Sequence, residues 1–259
     1  SKSGNVVAQA RQNSAPSAPL SKRLWENIKS LGGAVLIYLV IRQLLMEAFR
    51  IPSGSMMPTL LVGDWLFVNK AAYGPSVPFT QYHLPGYTSP KRGDVVVFVS
   101  PPQDPSIRIA PDEVTPTLVK RVVGAPGDTL LMRHGQLTVN GTVVPPISTY
   151  VLPDSFANES KPIFEWQHRI EITGSRFGPP VKAPSLHEWG PIVVPAGMFF
   201  MMGDNRDDSV DSRYYGLVPR TNIRGTPMFV YYSYVGEGSD RPLPFITDIR
   251  WSRLGHWIR

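Results

Sequence analysis

The chain has 259 residues, 42% of them hydrophobic, with no cysteine and a formal net charge of +6. The lack of cysteine excludes a cysteine nucleophile, thiolate metal sites and disulfides. The positive charge suits an anionic lipid surface rather than nucleic acid, because no aromatic-flanked lysine run or nucleic-acid motif accompanies it. With 27 prolines and 22 glycines, the composition favours short strands joined by many turns over a helical bundle.

Residues 1–29 read as a flexible cytoplasmic tail. The first twenty are rich in Ser, Ala, Gln, Asn and Pro and show no periodic apolar face. Lys22, Arg23 and Lys29 follow, with Trp25 as an interface residue. Residues 30–49 read as a transmembrane anchor. The uncharged stretch 31–41 is too short to span a bilayer, but extension to Phe49 gives a helix of roughly 28 Å, near the hydrocarbon thickness. Arg42 and Glu47 then have to snorkel or lie at the interface. An interfacial helix and a buried core helix stay open as alternatives. A cleaved signal peptide fits poorly, since Met46-Glu47-Ala48 offers no small-x-small site. Basic residues weight the N-terminal side, which places the bulk of the chain outside the cytoplasm.

Ile51-Pro52-Ser53-Gly54-Ser55-Met56-Met57-Pro58-Thr59-Leu60 comes next, and the rest of the chain is organised around it. Pro52 fixes its own φ and Pro58 drives Met57 towards an extended shape, so the stretch reads as a held loop. A polar turn after an anchor would look the same. From there the pattern is β. Strands are expected at 64–70, at 95–99 with both faces buried, and at 118–123, closed by Gly124-Ala125-Pro126-Gly127-Asp128. Residues 74–92 and 101–116 read as loops.

In the 118–123 strand, alternation puts Leu118, Lys120 and Val122 on one face and Val119, Arg121 and Val123 on the other. One cation therefore shares a face with valines. Lysine tolerates this by losing its proton and arginine does not, so Lys120 is the candidate for an inward neutral amine. The alternative is a surface strand with a snorkelling lysine.

Residues 129–144 read as paired hairpins with turns at His134-Gly135 and Asn140-Gly141. Weak strands are expected around 164–172. Residues 129–190 form an inserted subdomain between a first core part, 50–128, and a second, 191–259. The second part ends in a tail that packs on the core or lies at the membrane surface. Met198–Met202 and 228–234 are its strands.

The acidic run 204–211 does not fit a calcium loop. Starting at Asp207, Ser212 replaces the required glycine and Val218 the final glutamate. His83, His134, His168, His187 and His256 show no metal spacing, and no G-x-S-x-G elbow is present. No metal site and no cofactor are expected. What remains is a serine in a constrained loop and a desolvated lysine, which together suffice for acyl transfer.

Four blocks in order resemble the bacterial type I signal peptidases (leader peptidases). They are Ser53–Leu60, the Lys91-Arg92-Gly93-Asp94-Val95 stretch, the Lys120-Arg121-Val122-Val123-Gly124 stretch, and Gly203 to Arg213. The resemblance runs from Ile51 to about Tyr232. It implies a mostly β fold: an antiparallel-sheet catalytic domain with an inserted smaller β subdomain, behind one N-terminal transmembrane helix. It implies Ser55 as nucleophile, Lys120 as general base and then acid, and an oxyanion hole from the Ser55 N–H and the Ser53 hydroxyl. Ser209 would orient the lysine amine by a hydrogen bond, and Gly203 would let backbone pack against it. Asp204, Asp211 and Arg213 would hold the loop, and Ile51, Pro52 and Met56 would bind substrate. The implied partners are exported preproteins with small residues at −1 and −3, and membrane lipid, at the outer face of the inner membrane. Leu118 departs from a tyrosine found in some members and Asp208 from a common asparagine. The rival reading is a non-enzymatic anchored β module that binds extended peptides.

Overall fold

The computed structural model describes residues 20–75, 80, 82, 84–174, 176–236 and 239–258. Residues 1–19 of the expected tail, His83 and part of the loop over 74–92 lie outside the described residues, as does Arg259. The chain divides into two units, residues 1–41 and 42–259.

Helix α1, Leu20–Leu44, begins inside the expected tail and stops at Leu44 rather than Phe49. Within it, Leu24–Arg42 is long and apolar enough to cross a membrane, by length and composition. The residues expected to complete the span form strand β1 (Met46–Arg50) instead, with Ala48 opposite Phe67 of β2 (Asp64–Asn69). The charge on Glu47 explains the change. In the strand its carboxylate meets Lys70 Nζ at 3.2 Å, whereas a bilayer would leave it unpaired.

The second unit is built from two antiparallel sheets. Strands β3 (Val95–Val99), β4 (Thr117–Gly124), β5 (Thr129–Arg133), β6 (Gln136–Val139) and β7 (Thr142–Val144) follow in sequence. After them come a short helix α2 (Asp154–Ala157), β8 (Trp189–Val193), β9 (Met198–Met202), a one-turn helix α3 (Ser212–Tyr215), β10 (Val218–Pro219) and β11 (Ile223–Ser233). The larger sheet has the order β1-β2-β11-β3-β4-β9-β10 and the smaller β7-β6-β5-β8.

β11 is the seam of the larger sheet. Its first residues pair with β3 and its later ones with β2, with register shifts after Pro227 and after Val230. Such bulges bend a strand and increase its twist, so one sheet can wrap its apolar residues inward from both ends. β3 is buried on both faces as its sequence predicts. Val96 and Phe98 pack with Val122, Met201 and Ile223. Val95 and Val97 pack with Ile51, Met56, Leu60, Leu66 and Val230.

In the smaller sheet, the His134-Gly135 and Asn140-Gly141 turns have positive φ at both residues, 49° and 73° then 52° and 85°. That is the tight reversal these dipeptides favour. The strands expected around 164–172 are instead a 3-10 helix, Pro162–Arg169. Pro162 fits its first turn, and Phe164 and Gln167, three apart, both turn inward as that helix eclipses such positions.

The two sheets share a core. Val123, Phe200 and Met202 of the larger pack with Leu130, Met132, Leu137, Trp189 and Ile192 of the smaller. Trp189 stacks on Phe200 with ring centroids 5.1 Å apart. The C-terminal tail packs on the core, with Ile258 N–H donating to Met228 O at 2.9 Å beside β11.

Candidate active site

The serine loop is wedged between core and solvent. Ser53 is extended (φ −136°, ψ 160°), and Gly54–Met56 make a single 3-10 turn that carries Ser55. Ile51 and Met56 are 3% and 1% exposed and anchor the loop in the core. They do not line the cleft described below, whereas Pro52 does. Pro52 is the exposed member of the three, and Ile51 and Met56 hold the loop from beneath. The loop is closed by Ile51 N–H donating to Asp64 O at 2.8 Å and Gly63 N–H donating to Ile51 O at 3.0 Å.

Lys120 sits in mid-β4 and is 3% exposed. Its Nζ lies 2.5 Å from Ser55 Oγ. Burial pulls the amine down to about 8, against the pull of Asp211, Asp208 and Asp204, which favour its charged form; the Arg213 guanidinium adds to the lowering. No carboxylate bonds to Nζ directly among the described contacts. β9 pairs with β4 only at Arg121, Val122 and Gly124. Thr117, Leu118 and Lys120 consequently line an open cleft of about 550 Å³ together with Pro52, Ser53, Ser55 and Ser209. A second groove of about 630 Å³ lies alongside, sharing Gln103 and Tyr214 with this cleft but neither Ser55 nor Lys120.

As β9 ends, the chain passes beneath Ser55. A Cβ on Gly203 would overlap Ser55 O and the Ser209 side chain. The glycine thus makes room for the serine loop and Ser209. Asn205 N–H donates to Ser55 O at 3.1 Å, and Asn205 Nδ2 donates to Gly54 O at 3.3 Å. The expected hydrogen bond from Ser209 to Lys120 is not formed: Ser209 Oγ is buried without a hydrogen-bond partner among the described residues, crowded against Gly203.

Asp204, Asp207 and Asp211 of the acidic run each have partners. Arg121 grips Asp204 through Nε and Nη2, both at 2.7 Å, and Thr59 Oγ1 donates to the same carboxylate at 2.5 Å. Asp211 accepts from Arg213 Nε at 2.9 Å and Nη2 at 2.8 Å, and from Gly203 N–H at 3.2 Å. Arg213 Nη2 also donates to Arg206 O. Asp207 faces His187 Nε2 at 2.8 Å. Burial works against its charge, but the bond to His187 and one from Leu152 N–H hold its carboxyl below the usual range. Such paired carboxylates are hydrogen-bonding struts rather than a cation cage.

Ser55, Lys120, Ser53, Pro52, Ser209, Gly203, Asp204, Asp211 and Arg213 all lie in or against this one site. Sequence reasoning missed Arg121, Thr59, Asn205 and His187. Arg121 could have been found, as a strand cation that cannot go neutral and so needs a carboxylate. Asn205 and His187 carry no such local signal.

Comparison with known proteins places these residues in context. Residues 24–232 match the family described as "Signal peptidase, peptidase S26". The signal peptidase I of Pseudomonas aeruginosa is 37% identical over 242 residues, covering 88% of this chain and 77% of that protein. That of Haemophilus influenzae is 31% identical, covering 94% of this chain and 79% of that protein. A crystal structure of a signal peptidase I from Enterococcus faecalis aligns with 26% identity and a TM-score of 0.31, over 54% of this chain and 97% of that one.

Proposed function

We propose, from the premise that the chain belongs to the signal peptidase family, that it is a membrane-anchored serine endopeptidase that removes signal peptides from exported preproteins through a Ser55–Lys120 dyad. The observation that carries this reading is the 2.5 Å approach of Lys120 Nζ to Ser55 Oγ with the amine buried. In its neutral form the amine accepts the Ser55 proton as Oγ attacks the scissile carbonyl carbon. The Ser55 N–H and Ser53 hydroxyl take up the oxyanion. Lys120 then passes its proton to the leaving amine, and the same cycle with water releases the signal peptide from Ser55.

The stretch of β4 that β9 leaves unpaired supports binding of substrate as an added extended strand. Leu118 lines the cleft beside Lys120, and small apolar side chains at −1 and −3 would fit against it. The apolar window Leu24–Arg42 supports anchoring, and the basic residues Lys22 and Arg23 before it favour an extracytoplasmic second unit.

The test is cleavage of a preprotein bearing an Ala-x-Ala site by the detergent-solubilised protein, with the new N-terminus sequenced. The expected result is a single cut after the second alanine, absent in folded Ser55→Ala. No cut by a folded parent across several preproteins would favour a peptide-binding module, and a cut that survives Ser55→Ala would remove the nucleophile assignment.

A further inference from the structure

The connections of the smaller sheet hydrogen-bond to the run 204–207 that borders the serine loop. His187, just before β8, places Nε2 2.8 Å from Asp207 Oδ1. Leu152 N–H donates to Asp207 Oδ2 at 2.8 Å. Ser148 Oγ donates to Asn205 Oδ1 at 3.0 Å, and Ser148 N–H to Asp204 O at 3.3 Å. Each end of the run 204–207 is thereby tied to residues 148–187. The run in turn holds the nucleophile, through Asn205 N–H to Ser55 O at 3.1 Å and Asn205 Nδ2 to Gly54 O at 3.3 Å.

His187 is rigidly mounted. It is 7% exposed. Its N–H donates to Ala157 O and its carbonyl accepts from Gly135 N–H, both at 3.2 Å. Its ring lies against the β5–β6 turn, where a Cβ on Gly135 would come within 3.2 Å of Nδ1. Two backbone bonds and the turn packed against the ring hold the imidazole towards Asp207.

We infer that His187, seconded by Ser148, is a positioning residue: the inserted subdomain uses it to set the 204–207 run, and through Asn205 the height of Ser55 against Lys120. The inference rests on the dyad reading above. Small displacements of a reacting atom lower turnover steeply, while apolar contacts with substrate are little changed. The effect therefore belongs in kcat rather than KM.

The test measures kcat and KM on an Ala-x-Ala preprotein for the parent, Ser55→Ala, His187→Ala, His187→Gln and Ser148→Ala, with melting curves for each. Folded His187→Ala is expected to lose about 10- to 30-fold in kcat with KM within about twofold. His187→Gln, whose amide nitrogen reaches the Nε2 position, is expected to recover to within about threefold of the parent, and Ser148→Ala to lose about threefold. Parental kcat in folded His187→Ala overturns the inference, as does a glutamine variant no better than alanine. If His187→Ala does not fold, the Gln and Ser148→Ala variants decide: a folded Ser148→Ala variant with parental kcat overturns it. A parent that cleaves nothing overturns the dyad reading and this inference together. A cleaving parent, with Ser55→Ala inactive and the other variants unaffected, overturns this inference alone.

Discussion

Lys120→Met is expected to lower kcat by at least ~10⁴-fold, since the base and the later acid disappear together. The variant should remain folded and melt no lower than the parent. The side chains are similar in length, and Leu118 and Val122 flank Lys120 on its face of β4. Burial lowers its pKa from 10.5 to about 8, so the folded protein binds this proton less tightly than the unfolded chain does. Stability contributed by this group therefore rises with pH across that window and is at its least below it. A thioether removes that penalty at neutral pH. Loss of turnover with equal or raised Tm, read by a melting curve beside the preprotein assay, separates a chemical role from a structural one. Substantial activity in Lys120→Met would remove the base.

Gly203→Ala is expected to damage both stability and turnover. The added methyl would overlap the Ser55 carbonyl and the Ser209 side chain, one of them backbone that cannot swing away. Overpacking of this kind costs about 1–3 kcal/mol. Because the obstacle is the nucleophile's own carbonyl, the serine loop has to shift, and a shift near 1 Å lowers kcat about 100-fold. Denaturant melts and kcat on the same preparation check both parts. A variant with parental stability and turnover would mean that the loops do not hold this close contact in solution.

Much of this site could be read from local chemistry. Strand alternation isolates Lys120 as the inward amine, and the prolines around Ser55 announce a held loop. The Asn-Gly and His-Gly dipeptides mark the turns of the smaller sheet. The readings that failed share a physical cause, namely a partner distant in sequence. Glu47 looks like a charge to be snorkelled at the end of an anchor until Lys70 is seen across β2. The 162–169 segment has aromatic and branched residues suited to a strand, but Pro162 and the inward pair Phe164 and Gln167 are accommodated by a 3-10 helix against α3. Ser209 sits in the expected block, yet its hydroxyl makes no hydrogen bond to the lysine amine and is crowded against Gly203. His187 is twenty residues from Asp207, and nothing in the intervening sequence joins them.

The most direct test of the dyad is the pH dependence of kcat/KM between pH 6 and 10, measured for the parent and Asp208→Asn. This profile reports the free enzyme's base. A base with a pKa of about 8 predicts activity that rises through an acid limb centred there. The Asp208 carboxylate favours the charged amine, so its removal should move the limb to lower pH and raise activity at neutral pH. A limb in the histidine range that Asp208→Asn leaves in place, or a profile flat across the whole window, would contradict a buried lysine as the base.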